Sequence, residues 1–320
     1  MNSKNLIKVN ENDLKKNLSG KVYIVTGANG GVGFETTKQL IKQGAHVVMA
    51  CRRVDAGKTA AENFKGLKGS YEVVKCDLSD LKSVRMFVSY FLKEHDRLDA
   101  LLCNAGMLNW DNTLQFTKDG FEKTWAANFF GHFLMTELLL DVLKKSAPSR
   151  IAFVSSGVVA GKEGNRPAVH LEDLEYKNRK YNNQAVYAEV KLAETQYAME
   201  LAKRLEGTGV TTASIHPGWA KSNFGNGGSA FNRAMMKVLT PLMSPMMDST
   251  WESAQTSLHV LLSDDMPKHS GEYFSQYSIV YSDKECKKGG WPMKLKNPSA
   301  YDMDAAKKLV AKASQLVGLQ

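Results

Sequence analysis

A doubly wound α/β sheet of about seven parallel strands, covered by helices on both faces and forming a single domain, is the fold class the sequence predicts. Three observations predict it. Apolar runs of six or seven residues recur along the chain. Segments of helical period alternate with them, which is the pattern of a parallel sheet buried on both sides. The first apolar run ends in a glycine cluster that opens a helix, the strand–turn–helix order of a nucleotide-binding sheet.

The elements follow in order. Lys21–Thr26 is the first strand, and Phe34, Thr37, Leu40 and Ile41 mark the helix behind it. Ala45–Cys51 is the second strand, with a helix near Ala56–Phe64, and Tyr71–Cys76 is the third, with a helix near Leu81–Leu92. Leu98–Cys103 is the fourth, followed by a long helix from about Gly120 to Lys145. Arg150–Ser155 is the fifth; a polar stretch then leads to a helix from about Gln184 to Leu205. Val210–Ile215 is the sixth strand, Gly271–Ile279 holds a seventh, and a helix near Ala305–Leu316 closes the chain. No linker or composition break appears, so 19–320 reads as one domain behind an N-terminal extension, 1–18.

Composition narrows the function classes. The 320 residues are 43% hydrophobic and 23% charged, a globular balance. The net charge of +9 is scattered, with no block of five like charges, and no nucleic-acid partner is expected. The five lysines between Lys284 and Lys296 read as a solvated face. Cys51, Cys76, Cys103 and Cys286 show no C-x-x-C spacing, and three of them end strand-like runs, so buried reduced thiols are expected. Residues 1–18 lack an apolar signal core, and no run of 18 apolar residues occurs. A cytoplasmic protein is expected, with a peripheral membrane contact left open. The histidines show no ligand spacing, and no metal is expected.

The first turn reads Thr26-Gly27-Ala28-Asn29-Gly30-Gly31-Val32-Gly33. Glycines here let the backbone turn sharply and approach a pyrophosphate, which the helix N-terminus behind them attracts. Gly27, Asn29, Gly31, Val32 and Gly33 are the expected contacts. A sheet that binds NAD carries an acid at the end of its second strand; this chain has Ala50-Cys51-Arg52-Arg53 there. A guanidinium binds a 2′-phosphate bidentately, so Arg52 points to NADP(H). Tyr187 and Lys191 are spaced i, i+4 and share one helix face. A phenol titrates near ~10, too high for proton transfer at neutral pH, and an ammonium one turn away lowers it.

With these motifs in place, the chain resembles the short-chain dehydrogenase/reductase family over nearly its whole length. Thr26–Gly33 matches its T-G-x-x-x-G-x-G turn, and Asp77-Leu78 its adenine-contacting pair. Cys103-Asn104-Ala105-Gly106 matches N-N-A-G with cysteine for the first asparagine. Asn128, Ser156, Tyr187 and Lys191 match its catalytic tetrad, and Pro217-Gly218 follows the sixth strand with Ser222 at the usual threonine place. The resemblance implies that Tyr187 exchanges the proton with the carbonyl oxygen while Ser156 holds that oxygen. It implies that Lys191 binds the nicotinamide ribose and that Asn128 positions Lys191 through a water. Ala220 and Ser222 would fix the carboxamide or phosphates, and Asn104, Ala105 and Gly106 would line the cofactor.

Within the family the chain looks most like the retinol dehydrogenase and WW-domain oxidoreductase branch. The markers include Met49-Ala50-Cys51-Arg52, His216-Pro217-Gly218 and Ser270-Gly271-Glu272-Tyr273-Phe274. The implied function is NADP(H)-dependent interconversion of a carbonyl and an alcohol on a hydrophobic substrate: a retinoid, lipid aldehyde or steroid-like ketone. Arg53, in place of the acid common after C-R, and Trp219 depart from the pattern. Residues 225–248, rich in methionine and leucine, are the expected substrate lid, or a self-packed helix pair. Trp110 and Trp125 read as packing residues. The helices near Phe121–Lys145 and Gln184–Leu205 are the faces on which a homodimer would form. Two rival readings are a protochlorophyllide reductase-like enzyme, which shares the A-C-R and C-N-A motifs, and a catalytically silent NADP-binding regulator.

Overall fold

The computed structural model describes residues 6–221 and 247–319. Seven strands pair in parallel in the order β3-β2-β1-β4-β5-β6-β7. They are β1 Val22–Thr26, β2 His46–Cys51, β3 Ser70–Lys75, β4 Ala100–Cys103, β5 Ser149–Val154, β6 Val210–His216 and β7 Tyr273–Ser275. The order reverses between β1 and β4, and the crevice beyond their carboxyl ends is where such sheets bind ligands.

Alternation along each strand feeds two cores. Ile24 and Val48 point into one, with Phe87, Phe91, Phe129, Phe133 and Leu201. Val25, Val47 and Met49 point into the other, with Leu40, Ile41, Ala254 and Leu258. The first core lies under α3 Leu81–Glu94, α4 Lys123–Lys145 and α5 Asn183–Arg204; the second lies under α1 Gly31–Lys42, α2 Val54–Ala61 and α6 Thr250–Leu262. A short helix α7, Lys284–Lys288, and a last helix α8, Met303–Val317, complete the described helices of α type.

Several expectations are corrected. The long helix begins at Lys123, not Gly120, because Glu122 caps it: its carboxylate accepts the Thr124 and Trp125 amides. Residues 126–130 of α4 form a π turn. Strand β7 is only three residues long: it pairs in parallel with β6 over Tyr273–Ser275, and the chain leaves the sheet after Ser275, which also bridges Gly290. Helix α6 was not anticipated. Its buried face carries Ser253, Gln255, Thr256 and Ser257 among the apolar residues, which blurs the hydrophobic period; its Ser249/Glu252 capping box is the signal that was there to read.

The N-terminal extension is bound to the domain along its described length. Ile7 exchanges both backbone bonds with the Gln276 amide, Val9 N donates to Gln255, and Gln43 Nε2 donates to the Asp13 and Lys16 carbonyls. All four cysteines are free and buried. Among the described residues one helix, α4, is long and apolar enough to cross a membrane, and most of it is core.

Candidate active site

The glycine turn closes on the C-N-A-G segment beyond β4. The Asn104 side-chain amide donates to the Thr26 carbonyl at 2.8 Å, so a Cβ on Gly33 would collide with that amide and lie 2.7 Å from the Gly27 carbonyl oxygen. Nothing but glycine fits there. Helix α1 starts behind Gly30 with no side-chain cap, which leaves its first N–H groups directed at the turn. The Ala28 and Asn29 amides reach the sulfur of buried Cys51, whose thiol is pushed up to about 11 by burial against those bonds. Val32 and Leu78 are buried, while Asn29 and Ala105 are half-buried and Gly106 is exposed.

Arg52 and Arg53 are exposed at the end of β2, and neither has an ion-pair partner among the described residues. Asp77 spends one carboxylate oxygen on the Ser79 amide and hydroxyl, fixing the turn after β3. A close glycine cradle, an uncapped helix start and an unpaired guanidinium beside them fit a dinucleotide with a 2′-phosphate.

His132 joins this turn to α4. Its Nδ1 lies 2.8 Å from the Asn128 carbonyl, which can only accept, so Nδ1 carries the proton. Its Nε2 therefore accepts from Thr26 Oγ1 at 2.9 Å, and Thr26 Oγ1 in turn accepts the Asn104 and Ala105 amides. Burial holds His132 neutral, with its pKa lowered to about 3. Asn128, in the π turn, uses its side chain on both backbone groups of Met107. Through these two bonds it holds the 104–107 loop.

Tyr187 and Lys191 lie one turn apart on α5. The Tyr187 phenol hydrogen-bonds the Ser156 hydroxyl, and Lys191 Nζ sits 5.6 Å from the Tyr187 ring centroid. Ser156 stands just beyond β5, its hydroxyl accepting the Val158 amide, and the Tyr273 hydroxyl donates to its carbonyl. Lys191 is buried and bonds the Val154 carbonyl at 2.8 Å and Glu194 at 2.9 and 3.0 Å. The expected lowering of the tyrosine is not the net result. Burial raises the Tyr187 pKa above its ordinary value; Lys191 and Ser156 pull it down, and Glu194 raises it further. Burial pushes Glu194 itself up to about 7 against the pull of Lys191.

The segment between Ser156 and Tyr187 is held by a polar network. Glu189, between the two α5 residues, accepts from His170 N, Arg179 and the Tyr176 hydroxyl, and Tyr176 accepts from Trp125 Nε1 at 2.9 Å. Trp125 is fully buried, a packing residue as expected. Past β6, the Trp219 amide donates to Asp248, and Ala220 bridges to the same residue. Burial raises Asp248 to about 6. Pro217 and Gly218 lie at this end of β6. Ser222 and residues 225–246 of the expected lid lie outside the described residues. Sequence reasoning missed His132, Glu194, Asp248 and Tyr273 as site residues: Glu194 and His132 stand one turn from Lys191 and Asn128 but only burial gives them their roles, and Asp248 and Tyr273 meet their partners only through the fold. A cavity of about 960 Å³ lined by Met199, Gly209, Thr211 and Tyr301 lies at the opposite, N-terminal end of β6; Tyr273 reaches its wall, while Ser156, Tyr187 and Lys191 do not line it.

A family model described as short chain dehydrogenase matches residues 21–168. Retinol dehydrogenase 13 of Homo sapiens is 36% identical over 313 residues, covering 96% of this chain and 87% of the relative. Retinol dehydrogenase 12 of Bos taurus is 40% identical over 305 residues, covering 95% and 88%. A solved structure of an uncharacterized protein from Mycobacterium paratuberculosis aligns with a TM-score of 0.73 at 27% identity, covering 98% of this chain and 99% of its own. The RhlG/NADP active-site complex of Pseudomonas aeruginosa, 23% identical with a TM-score of 0.60 over 81% of this chain and 95% of that one, shares the fold.

Proposed function

The chain belongs to the short chain dehydrogenase family and is an oxidoreductase, and from that premise we propose that it interconverts a carbonyl and an alcohol on a hydrophobic substrate with NADP(H). Retinoids, lipid aldehydes and steroid-like ketones are the substrate classes, a reading supported by the retinol dehydrogenases among its relatives. The observation that carries the proposal is the hydrogen-bonded Ser156–Tyr187 pair with the Lys191 ammonium behind it, set beside a glycine cradle.

The bound nicotinamide supplies or takes the hydride. Tyr187 gives its phenolic proton to the carbonyl oxygen in reduction and takes it back in oxidation. Ser156 donates a hydrogen bond to the same oxygen and orients it. Lys191 stabilises the phenolate that Tyr187 becomes. Asn104, Thr26 and His132 keep the cradle closed. Arg52 takes the 2′-phosphate and so favours NADPH over NADH. A peripheral membrane contact through the 225–248 segment stays a proposal from sequence.

The test is NADPH oxidation against retinal, long-chain aldehydes, steroid ketones and quinones. Turnover of an apolar carbonyl is expected, with Tyr187→Phe lower by on the order of a hundredfold or more and Arg52→Ser weakening NADPH but not NADH. Equal use of NADH and NADPH would overturn the cofactor choice. Tight NADPH binding with no carbonyl reduced would favour a silent regulator, and light-dependent turnover of a pigment would favour the protochlorophyllide reductase-like reading.

A further inference from the structure

At the end of the sheet away from the glycine turn, three groups from distant parts of the sequence meet. His46 begins β2, Glu72 lies in β3, and His95 caps α3. Parallel pairing sets His46 opposite Ser70 and Val48 opposite Glu72, so the His46 and Glu72 side chains share a face. One ligand-capable atom from each residue of the triad lies within 4.8 Å of the others. His95 Nε2 is 2.6 Å from Glu72 Oε1, and His46 Nε2 is 3.6 Å from the same oxygen.

The surroundings aim these atoms inward. His46 Nδ1 is hydrogen-bonded to Ser70 Oγ at 2.7 Å, which turns Nε2 toward the triad, and that Nε2 is buried with no hydrogen-bond partner. The Tyr90 hydroxyl donates to Glu72 Oε2 at 2.6 Å and leaves Oε1 facing the histidines. His95 stacks on Phe91 with centroids 4.9 Å apart, which fixes its ring plane. Metal-bound histidines and carboxylates are held in this way, by hydrogen bonds at the ring nitrogen or oxygen that does not bind the ion.

We propose that His46 Nε2, His95 Nε2 and Glu72 Oε1 bind a divalent cation of the zinc class, with water completing its coordination. Two imidazoles and one carboxylate suit zinc and its first-row neighbours. Bonds of about 2.0–2.2 Å place tetrahedral ligand atoms roughly 3.3 Å apart. The His46–Glu72 gap already nears that value, and the His95–Glu72 pair must open slightly. The cation displaces the proton between His95 Nε2 and Glu72, which moves to His95 Nδ1 or, from an imidazolium, is released to solvent. The three side chains are partly open to solvent, which gives the ion a path in. A site here ties edge strand β3 to β2 and to the end of α3. It takes no part in the hydride chemistry, which lies at the other ends of the strands.

The experiment uses the full chain, stripped with a chelator and titrated with Zn²⁺ by calorimetry and by thermal unfolding. One equivalent bound in the micromolar range or tighter, with a rise in Tm, is expected. His95→Gln keeps a donor for Glu72, and with His46→Asn it should lose that binding; Ser70→Ala keeps all three ligands and should weaken it by on the order of tenfold. No binding of one equivalent, or variants that bind as the wild type does, would reduce the triad to a hydrogen-bonded clasp. Should a histidine variant fail to fold, Ser70→Ala and the Co²⁺ spectrum of the wild type decide. Weak d–d bands without a sulfur charge-transfer band support the site, and a sulfur band places the metal on a cysteine and overturns it.

Discussion

Glu194 is the residue whose effect on the chemistry is most open to measurement. Its carboxylate pairs with Lys191 and offsets the charge that would otherwise favour the Tyr187 phenolate. Glu194→Gln removes a negative charge that raises the tyrosine pKa. Lys191 then acts on Tyr187 without that offset, and the phenolate forms at lower pH. Alcohol oxidation needs the phenolate, so the acid limb of its kcat/KM profile is expected to move to lower pH, and reduction should fall off earlier as pH rises. An unmoved limb, or one displaced upward, would show that the pair does not tune the tyrosine.

At the scale of the element, α4 connects both halves of the site. Its π turn, a feature often found at functional sites, presents Asn128 to the Met107 backbone and the Asn128 carbonyl to His132. Gly131 begins the regular helix directly against β3's end, where an added Cβ would lie 2.8 Å from Leu78 Cβ and 2.9 Å from its carbonyl carbon. Gly131→Ala must push α4 away from the Asp77-Leu78 turn. A loss of about 1–3 kcal/mol is expected for such overpacking, read from the urea midpoint, together with weaker NADPH binding. Wild-type stability in that variant would mean the contact yields at no cost.

The whole molecule covers one of its own faces. Helix α8 lies against α5 and α4 and buries Leu309, Ala313 and Val317 in the core they share. Arg85 of α3 donates to the Val317 and Gly318 carbonyls and closes its C-terminus, and Gln196 of α5 donates to the Ser299 carbonyl just ahead of it. The two long helices on which a homodimer would form are therefore occupied from within the chain. A monomeric mass by light scattering is expected. Removing residues 303–320 takes away Leu309 and Val317, each worth about 1.5–3 kcal/mol when buried, bares the faces of α5 and α4 they pack on, and should produce self-association or a lower Tm. A full-length dimer at micromolar concentration would refute this.

What the sequence determined by itself is local or periodic. The alternation of strand and helix, the glycine turn that must approach an anion, the arginine at the end of β2 and the Tyr187/Lys191 spacing all read directly, because backbone geometry brings residues a turn or a strand step apart into fixed relation. The tertiary structure alone decided the rest. Thr26 meets His132 and Ser156 meets Tyr273 only because the sheet closes, and α6 was hidden because its buried face is partly polar. The net direction of the Tyr187 pKa follows from burial, which no motif encodes. The His46, Glu72 and His95 triad has no sequence spacing to reveal it, since strand register and the end of α3 bring its members together. Desolvation and electrostatics depend on which distant atoms become neighbours, and packing alone settles that.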